Sequence, residues 1–423
     1  MREMKDSGIE WIGQIPKDWD VVPHKRVMHK VKKICEQYNG EDIISLTMNG
    51  VIKRDLTAGG KMPTSFDGYQ YVKPNDLLLC LFDIDVTPRC VGVVKDYGVT
   101  SPAYSRFVMH DGYYNAYYDY LLRAIDDDKV FVHLSKNLRS SLTESDFGVI
   151  KTCVPSLAEQ KRIVTFLDAQ GAEIDTVLEK TRASIEEYKK LKQAVITQAV
   201  TKGIRGDRPM KDSGSVWFEE IPCNWVMKRI KYLFHIKKDI AGKEGYTVLS
   251  ITQRGIQPKD LSKNEGQIAA NYSQYQLLAP GDFAMNHMDL LTGWVDISKY
   301  SGVTSPDYRV FVLDDTEKND SSYYLYLMQM CYFNRIFYGL GQGVSGMGRW
   351  RLQADKFMNF PVVVPPVDEQ KEIVSCLNEK CKQLDTLIRN KQQYLTEIEN
   401  YKKSLIYEYV TGKKEVKTSV LAD

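Results

Sequence analysis

The chain writes one stretch twice. V-P-S-L-A-E-Q-K-R-I-V-T-F-L-D runs from Val154 to Asp168, and V-P-P-V-D-E-Q-K-E-I-V-S-C-L-N runs from Val364 to Asn378, 210 residues further on. The segment M-K-D-S-G-I-E-W-I-G-Q-I-P-K-D-W (Met4 to Trp19) returns as M-K-D-S-G-S-V-W-F-E-E-I-P-C-N-W (Met210 to Trp225), offset by 206. V-T-S-P-A-Y-S-R-F-V from Val99 returns as V-T-S-P-D-Y-R-V-F-V from Val303, offset by 204. The drifting offset means short loop insertions between equivalent units. The 423 residues are therefore two tandem copies of a unit of about 205 residues. That period is far too long for a solenoid. It predicts two domains of one fold related by pseudo-twofold symmetry.

Each copy ends in a long predicted helix. Pro155 precedes the first, and Glu159 and Gln160 lie in its opening turn, where a carboxylate suits the positive end of the helix dipole. Apolar residues then recur at Leu167, Ile174, Leu178, Ile185, Tyr188, Leu191, Val195 and Ala199. The steps of three, four and seven describe a coiled-coil-like seam. Leu377, Leu384, Ile388, Leu395, Ile398, Tyr401, Leu405 and Tyr409 repeat that seam 210 residues later. Gly203 and Gly412 close the two helices, in the position a C-terminal glycine takes. A rod with one apolar seam needs a partner, and the nearest is the other copy. The prediction is an antiparallel helix pair.

The segments from about 20 to 153 and 226 to 363 read as short strands with turns. Examples are D-I-I-S-L-T (Asp42 to Thr47), D-L-L-L-C-L-F (Asp76 to Phe82) and V-G-V-V (Val91 to Val94), separated by M-N-G, K-P-N-D and A-P-G-D. One aromatic helical stretch follows in each copy, from Tyr114 and from Ser322. The fold class is thus α+β: two mixed α/β domains, each followed by a long helix, with the two helices paired as an antiparallel coiled coil. The frames match between copies, while Lys53 to Tyr71 and Asp83 to Arg89 have no likeness to Gln257 to Gln276 and Asn286 to Gly293. Shared frames with private loops are what two different recognition surfaces would look like.

Composition removes several function classes. With 43% hydrophobic and 26% charged residues the chain can bury a real core, and a net charge of +2 confines any polyanion site to a local patch. No run approaches the roughly 18 apolar residues of a membrane helix. The start, M-R-E-M-K-D-S-G-I-E-W, lacks the apolar stretch of a signal peptide, so a cytoplasmic location is expected. Eight cysteines form no C-x-x-C pair, and six histidines show no metal-ligand spacing; no metal is expected. No phosphate-binding P-loop is written. An enzyme reading rests on F-Y-G-L-G (Phe337 to Gly341), which looks like the F-x-G-x-G loop of adenosylmethionine-dependent methyltransferases. S-P-A-Y at Ser101 and S-P-D-Y at Ser305 faintly resemble the catalytic motif of amino-methyltransferases. The glycine loop lacks the preceding strand that such a loop needs, and the second proline is missing from both turns. A purely structural coiled-coil protein is a further alternative, but it does not need two elaborate domains with unlike loops.

A binding module accounts for more. Arg and Lys match guanine, Asn and Gln match adenine, and all can meet phosphate. Candidates in the first copy are Asn49, Lys53, Arg54, Lys61, Arg89, Lys136 and Arg139. In the second they are Gln253, Arg254, Lys259, Asn286, His287, Gln342, Arg349 and Arg351. Taken singly, each is more readily an ordinary solvated side chain than a base contact.

The duplicated motifs carry a family resemblance over the whole chain. They are the opening S-G-x-x-W-x-x-x-I-P-x-x-W, the S-P-x-Y turn, the R-x-x-L-x-x-x-x-F approach (Arg139 to Phe147, Arg349 to Phe357), and P-x-x-x-E-Q-x-x-I-V with its long helix. In this order the chain resembles the specificity subunit of type I restriction-modification systems. The resemblance implies residues 1–155 and 206–365 as target-recognition domains, each reading one half of a split, asymmetric site in double-stranded DNA. Residues 156–205 and 366–412 would be the conserved spacer helices, and 413–423 a tail. The helices would set the gap between half-sites and dock two modification subunits that methylate adenine. Restriction subunits, with motor and nuclease activity, would join that core. The chain itself would be non-catalytic and hold no cofactor, with adenosylmethionine, ATP and magnesium on its partners. Glu159, Gln160, Glu369 and Gln370 would cap and position rather than touch bases. Binding would be salt-dependent.

Overall fold

The computed structural model describes residues 2–57, 63–87, 89–135, 140–261, 271–343 and 350–417. Lys61, Lys136, Arg139 and Arg349 lie outside them. The chain divides into two compact units, Met1–Arg182 with Gln393–Asp423, and Ala183–Gln392. Each unit holds one globular part, the start of that part's own long helix and the end of the other copy's helix. The central helix is Leu157–Lys202 and the distal helix Val367–Val410, 46 and 44 residues. At ~1.5 Å per residue they run roughly 65–70 Å.

The globular parts share one topology. In the first unit a four-stranded antiparallel sheet runs Met28–Lys30, Ser105–Met109, Leu77–Leu79, Val91–Val93. In the second it runs Phe234–Lys237, Arg309–Leu313, Phe283–Met285, Val295–Ile297. An aromatic helix packs in each core, Asn115–Asp127 and Ser321–Phe333. Its adjacent tyrosines, Tyr117 with Tyr118 and Tyr323 with Tyr324, are buried edge to face at 5.1 and 5.3 Å. Buried tyrosine hydroxyls usually find a partner, and among the described residues three of these four do, the exception being Tyr118. Tyr117 donates to the carbonyl of Val410 at 2.8 Å, and Tyr323 to that of Val200 at 3.0 Å. Each globular part thus grips the last turn of the other copy's helix.

The turns before the third strand of each sheet are closed the same way. Asp76 accepts from the amide of Lys73 at 2.8 Å, and Asp282 from that of Ala279 at 2.9 Å. Both carboxylates are buried and take a cation, Arg106 at 2.6 Å in one unit and Lys237 at 2.7 Å in the other. The acid stays at one place in the repeat, while its cation comes from different strands.

Within each unit the long helices pack antiparallel, as the seam requires. In the first, Asp175 meets Lys402 at 2.5 Å and Arg182 meets Glu399 at 2.6 Å, so numbers rise on one helix as they fall on the other. In the second, Lys192 reaches both oxygens of Asp385 at 2.7 Å. The seam departs from the apolar reading at one repeated position: Leu191 and Tyr401 are 48% and 54% exposed. The neighbours one step on, Lys192 and Lys402, turn toward the partner helix instead. Lys192–Asp385 and Lys402–Asp175 are the same pair, 210 residues apart on each helix. Partly exposed pairs contribute about 0–1 kcal/mol each, so they select register while the apolar seam supplies stability.

One core position is chemically odd. His24 is fully buried and stacked on Phe147 at 4.5 Å, and neither ring nitrogen has a hydrogen-bond partner among the described residues. Its counterpart in the second unit is Ile230, also fully buried. Burial pushes the His24 pKa down to about 4. Because the folded value lies below the unfolded one of about 6.5, the neutral ring is favoured by folding. Stability is complete above pH 6.5 and is lost as pH falls toward 4. At ~1.4 kcal/mol per unit the loss is about 2–3 kcal/mol. His24→Ile should remove that acid-side loss; urea titrations at pH 7.5 and 4.5 check it, and an unchanged pH dependence would contradict it.

Candidate nucleic-acid interface

Both units carry one hairpin with the same internal bonding. The strands are Ile44–Thr47 with Gly50–Lys53, and Leu249–Thr252 with Gly255–Pro258. Thr47 donates its hydroxyl to the Gly50 carbonyl at 2.9 Å and accepts from the Asn49 amide at 3.2 Å. Thr252 makes the same two bonds, to Gly255 and from Arg254, at 3.1 Å each. Gly50 and Gly255 sit at φ +97° and +93°, a backbone that favours glycine. The hairpin is seated on the sheet behind it. Val51 lies so close to Gly92 that a Cβ on Gly92 would meet it at 2.7 Å, and in the second unit Asp296 accepts from the Ile256 amide at 2.9 Å.

Beside each hairpin lies an S-P-x-Y turn held by a buried glutamine. The Gln70 amide donates to the carbonyls of Ser101 and Tyr104 at 3.1 and 2.6 Å. Gln276 donates to those of Ser305 and Tyr308 at 3.1 and 2.9 Å. The turns that look faintly like a methyltransferase motif are therefore fixed structural corners. Hairpin, corner and the loop after the third sheet strand enclose a cleft. In the second unit it measures about 760 Å³ and is bordered by Arg254, Lys259, Asn286, Tyr275 and Tyr308. In the first it measures about 290 Å³ and is bordered by Met48, Phe82, Arg89 and Tyr104.

The candidate side chains fall into different situations. Asn49 and Arg254 are exposed at the hairpin tips. Gln253 is exposed beside Arg254, with its amide 3.4 Å from the Thr292 carbonyl. Lys53 is exposed and paired with Asp42 at 2.8 Å, and Arg54 is half-buried next to it. Lys259 lines the cleft, its amide donating to Val248 at 2.8 Å. Arg89 is turned inward. It donates to the carbonyls of Val91 and Met48 at 2.8 and 3.2 Å and faces Asp119 at 3.8 Å, so it braces the hairpin turn. Asn286 accepts from the amides of Met288 and Asp289 and closes its own loop. His287 is 5% exposed, and burial with Arg309 and Arg351 nearby pushes its pKa down to about 3, so it is neutral at pH 7. Gln342 and Arg351 are register partners across a short exposed ladder.

The repeated Glu-Gln at each helix start is consumed inside the domain. Glu159 accepts from the Trp19 indole at 2.9 Å and pairs with Arg2; Glu369 accepts from Trp225 at 3.0 Å and pairs with Arg208. Gln160 accepts from the Tyr114 amide at 2.8 Å and donates to Pro155 at 2.9 Å. Gln370 does the same with Asp320 and Pro365 at those distances. Both glutamines thereby fasten the aromatic helix to the long one. Composition did not disclose this lock; the recurrence of Trp and Arg with the Glu-Gln pair was its signal.

The F-Y-G-L-G segment is a one-turn helix, Ile336–Leu340, that follows the aromatic helix rather than a strand. Trp350 stacks on Tyr338 at 5.2 Å and donates to its carbonyl at 2.6 Å, and it lies where a Cβ on Gly341 would fall. No group of three or more His, Cys, Asp or Glu able to hold a metal ion occurs among the described residues. No described helix is long and apolar enough to cross a membrane.

Comparison with known proteins points one way. Residues 222–400 match the family described as type I restriction modification DNA specificity domain. The chain is 22% identical over 449 residues to the putative type I restriction enzyme MjaX specificity subunit of Methanocaldococcus jannaschii, covering 96% of both chains. It is 22% identical over 290 residues to the MjaVIII specificity subunit of the same organism, an alignment spanning 64% of each chain. A chain from a solved type I R-M system, studied for complex assembly and conformational transition, superposes with a TM-score of 0.68 at 13% identity. That match covers 95% of this chain and 99% of the other and shows a shared fold.

Proposed function

We propose that this chain, which belongs to the type I restriction-modification specificity-subunit family, reads a split DNA site with its two globular parts, one half-site each. The observation that carries the reading is the repeated hairpin-and-corner cleft. Its frame is the same in both units down to the threonine and glutamine hydrogen bonds, while its tip residues differ, Met48-Asn49 against Gln253-Arg254. A frame kept while its outward side chains change is suited to reading two different sequences.

The long helices would serve as the ruler between half-sites and as the seat of two modification subunits. The chain contributes recognition; adenine methylation, with adenosylmethionine, belongs to those partners, and ATP-driven cleavage to restriction subunits. Family members of this kind are in general non-catalytic, and the packed F-Y-G-L-G turn gives this chain no methyl-transfer pocket at that place.

A length change tests the proposal. Adding one heptad to each helix, after Arg182 and after Gln392, keeps the seam in phase and lengthens each by about 10 Å. In the complex with its modification subunits, the mapped methylated site should keep both half-sites and gain about three base pairs of spacer at ~3.4 Å each. An unchanged spacer would refute the ruler, and loss of any split motif in the unaltered chain would refute the function.

A further inference from the structure

We propose that one equivalent residue in each unit sets base identity: Asn49 selects adenine in one half-site and Arg254 selects guanine in the other. This rests on the reading of the chain as a two-part DNA reader. The hairpin tips have two outward residues each. The first is tied to the neighbouring loop in both copies, by the backbone of Met48 and by the side chain of Gln253. The Met48 carbonyl accepts from Arg89 at 3.2 Å, and the Gln253 amide lies 3.4 Å from the Thr292 carbonyl. These ties come from the same place in the repeat, the loop after the third sheet strand.

The second tip residue is different. Asn49 and Arg254 are exposed, and their side chains make no hydrogen bond or ion pair among the described residues. Only their backbone amides are engaged, each donating to the hairpin threonine. The backbone beneath them is fixed by that threonine and by a glycine at positive φ, so each side chain stands on a preorganised turn with its polar end unspent. Most other described candidates differ. Lys53 is ion-paired, Arg89 braces the turn, Asn286 closes its own loop and His287 is buried.

The two chemistries differ in what they can match. An asparagine amide offers one donor and one acceptor, the complement of adenine N6 and N7. A guanidinium offers two parallel donors, the complement of guanine O6 and N7. A two-bond match of this type discriminates by about 5- to 150-fold against the wrong base. Met48, 64% exposed beside Asn49, adds an apolar surface suited to a thymine methyl, so the first unit favours A·T at its tip and the second G·C.

The test is selection from a randomised duplex DNA library by the full chain in complex with its modification subunits, with Asn49→Arg, Arg254→Asn and Arg254→Lys in parallel. All three changes are at exposed, unpaired side chains, and melting temperatures should stay within about 1 °C of the unaltered chain. Arg254→Asn should replace one guanine by adenine in one half-site and leave the other half-site as it was. Asn49→Arg should convert one adenine to guanine in the opposite half-site. Arg254→Lys should weaken the guanine preference at least several-fold. The proposal is overturned if the unaltered chain selects a split motif and the variants select the same motif with uniformly lower recovery, which is the behaviour of phosphate contacts. If the unaltered chain selects no sequence at all, the two-part reading itself fails and takes this proposal with it.

Discussion

Glu369→Ala should lower the melting transition of the second unit by about 6–20 °C. The Glu369 side chain is 3% exposed and is the common acceptor for the Trp225 indole, the Arg208 guanidinium and the Asn224 amide. Removing it leaves a guanidinium and an indole N–H without their partner. Breaking a buried pair from one side costs about 3–5 kcal/mol, more than the pair itself contributes. In a unit of about 210 residues each kcal/mol moves the transition by about 2–4 °C. Burial raises the carboxyl pKa, but the donors from Trp225 and Arg208 outweigh it, and the net shift is downward. The folded value lies below the unfolded one, so the contribution is present above about pH 4.5 and is lost as pH falls through the folded pKa. Calorimetry on the full chain, with Glu159→Ala as the matching change in the first unit, checks both. Two unmoved transitions would mean that the Trp-Glu-Arg lock is incidental.

The duplication, the strand-rich domains and the paired helices were all legible in the sequence, because repeat offsets and apolar periodicity are direct signatures of packing. The rod departs from a purely apolar seam at one place. An apolar seam counted Leu191 and Tyr401, but those point outward and Lys192 and Lys402 take the inward position. The signal was present as charge, since Asp175 and Asp385 also repeat at 210 residues and pair with those lysines. A register fixed by ion pairs leaves no mark in the apolar pattern.

The candidate site was legible only as residue types. Arg89, Asn286 and Lys53 have the right chemistry for DNA, yet the fold engages all three within the domain. Nothing in a single sequence separates an arginine that braces a turn from one that leaves its fork free. The hairpin repeats legibly as I-S-L-T-M-N-G and L-S-I-T-Q-R-G, and only its two tip residues, Met48-Asn49 and Gln253-Arg254, lack any likeness. What the sequence leaves out is which of these side chains the fold engages, and the hydrogen bonds are what single out Asn49 and Arg254.

The largest functional effect should come from exchanging one reader. Replacing residues 1–155 with the matching segment of another family member keeps the second unit's hairpin, corner and cleft intact. The new segment must still meet Glu159, Gln160 and the Val410 carbonyl through its own Trp, helix start and tyrosine, and these are frame features rather than reading features. One half-site should therefore change completely and the other not at all. The measurement is genome-wide mapping of methylated adenines in cells carrying the exchanged chain with its modification subunits, beside cells carrying the unaltered chain and cells lacking it. The account predicts a split, asymmetric motif that is absent without the chain and altered in one half alone by the exchange. A motif altered in both halves, or methylation that persists unchanged without the chain, would contradict it.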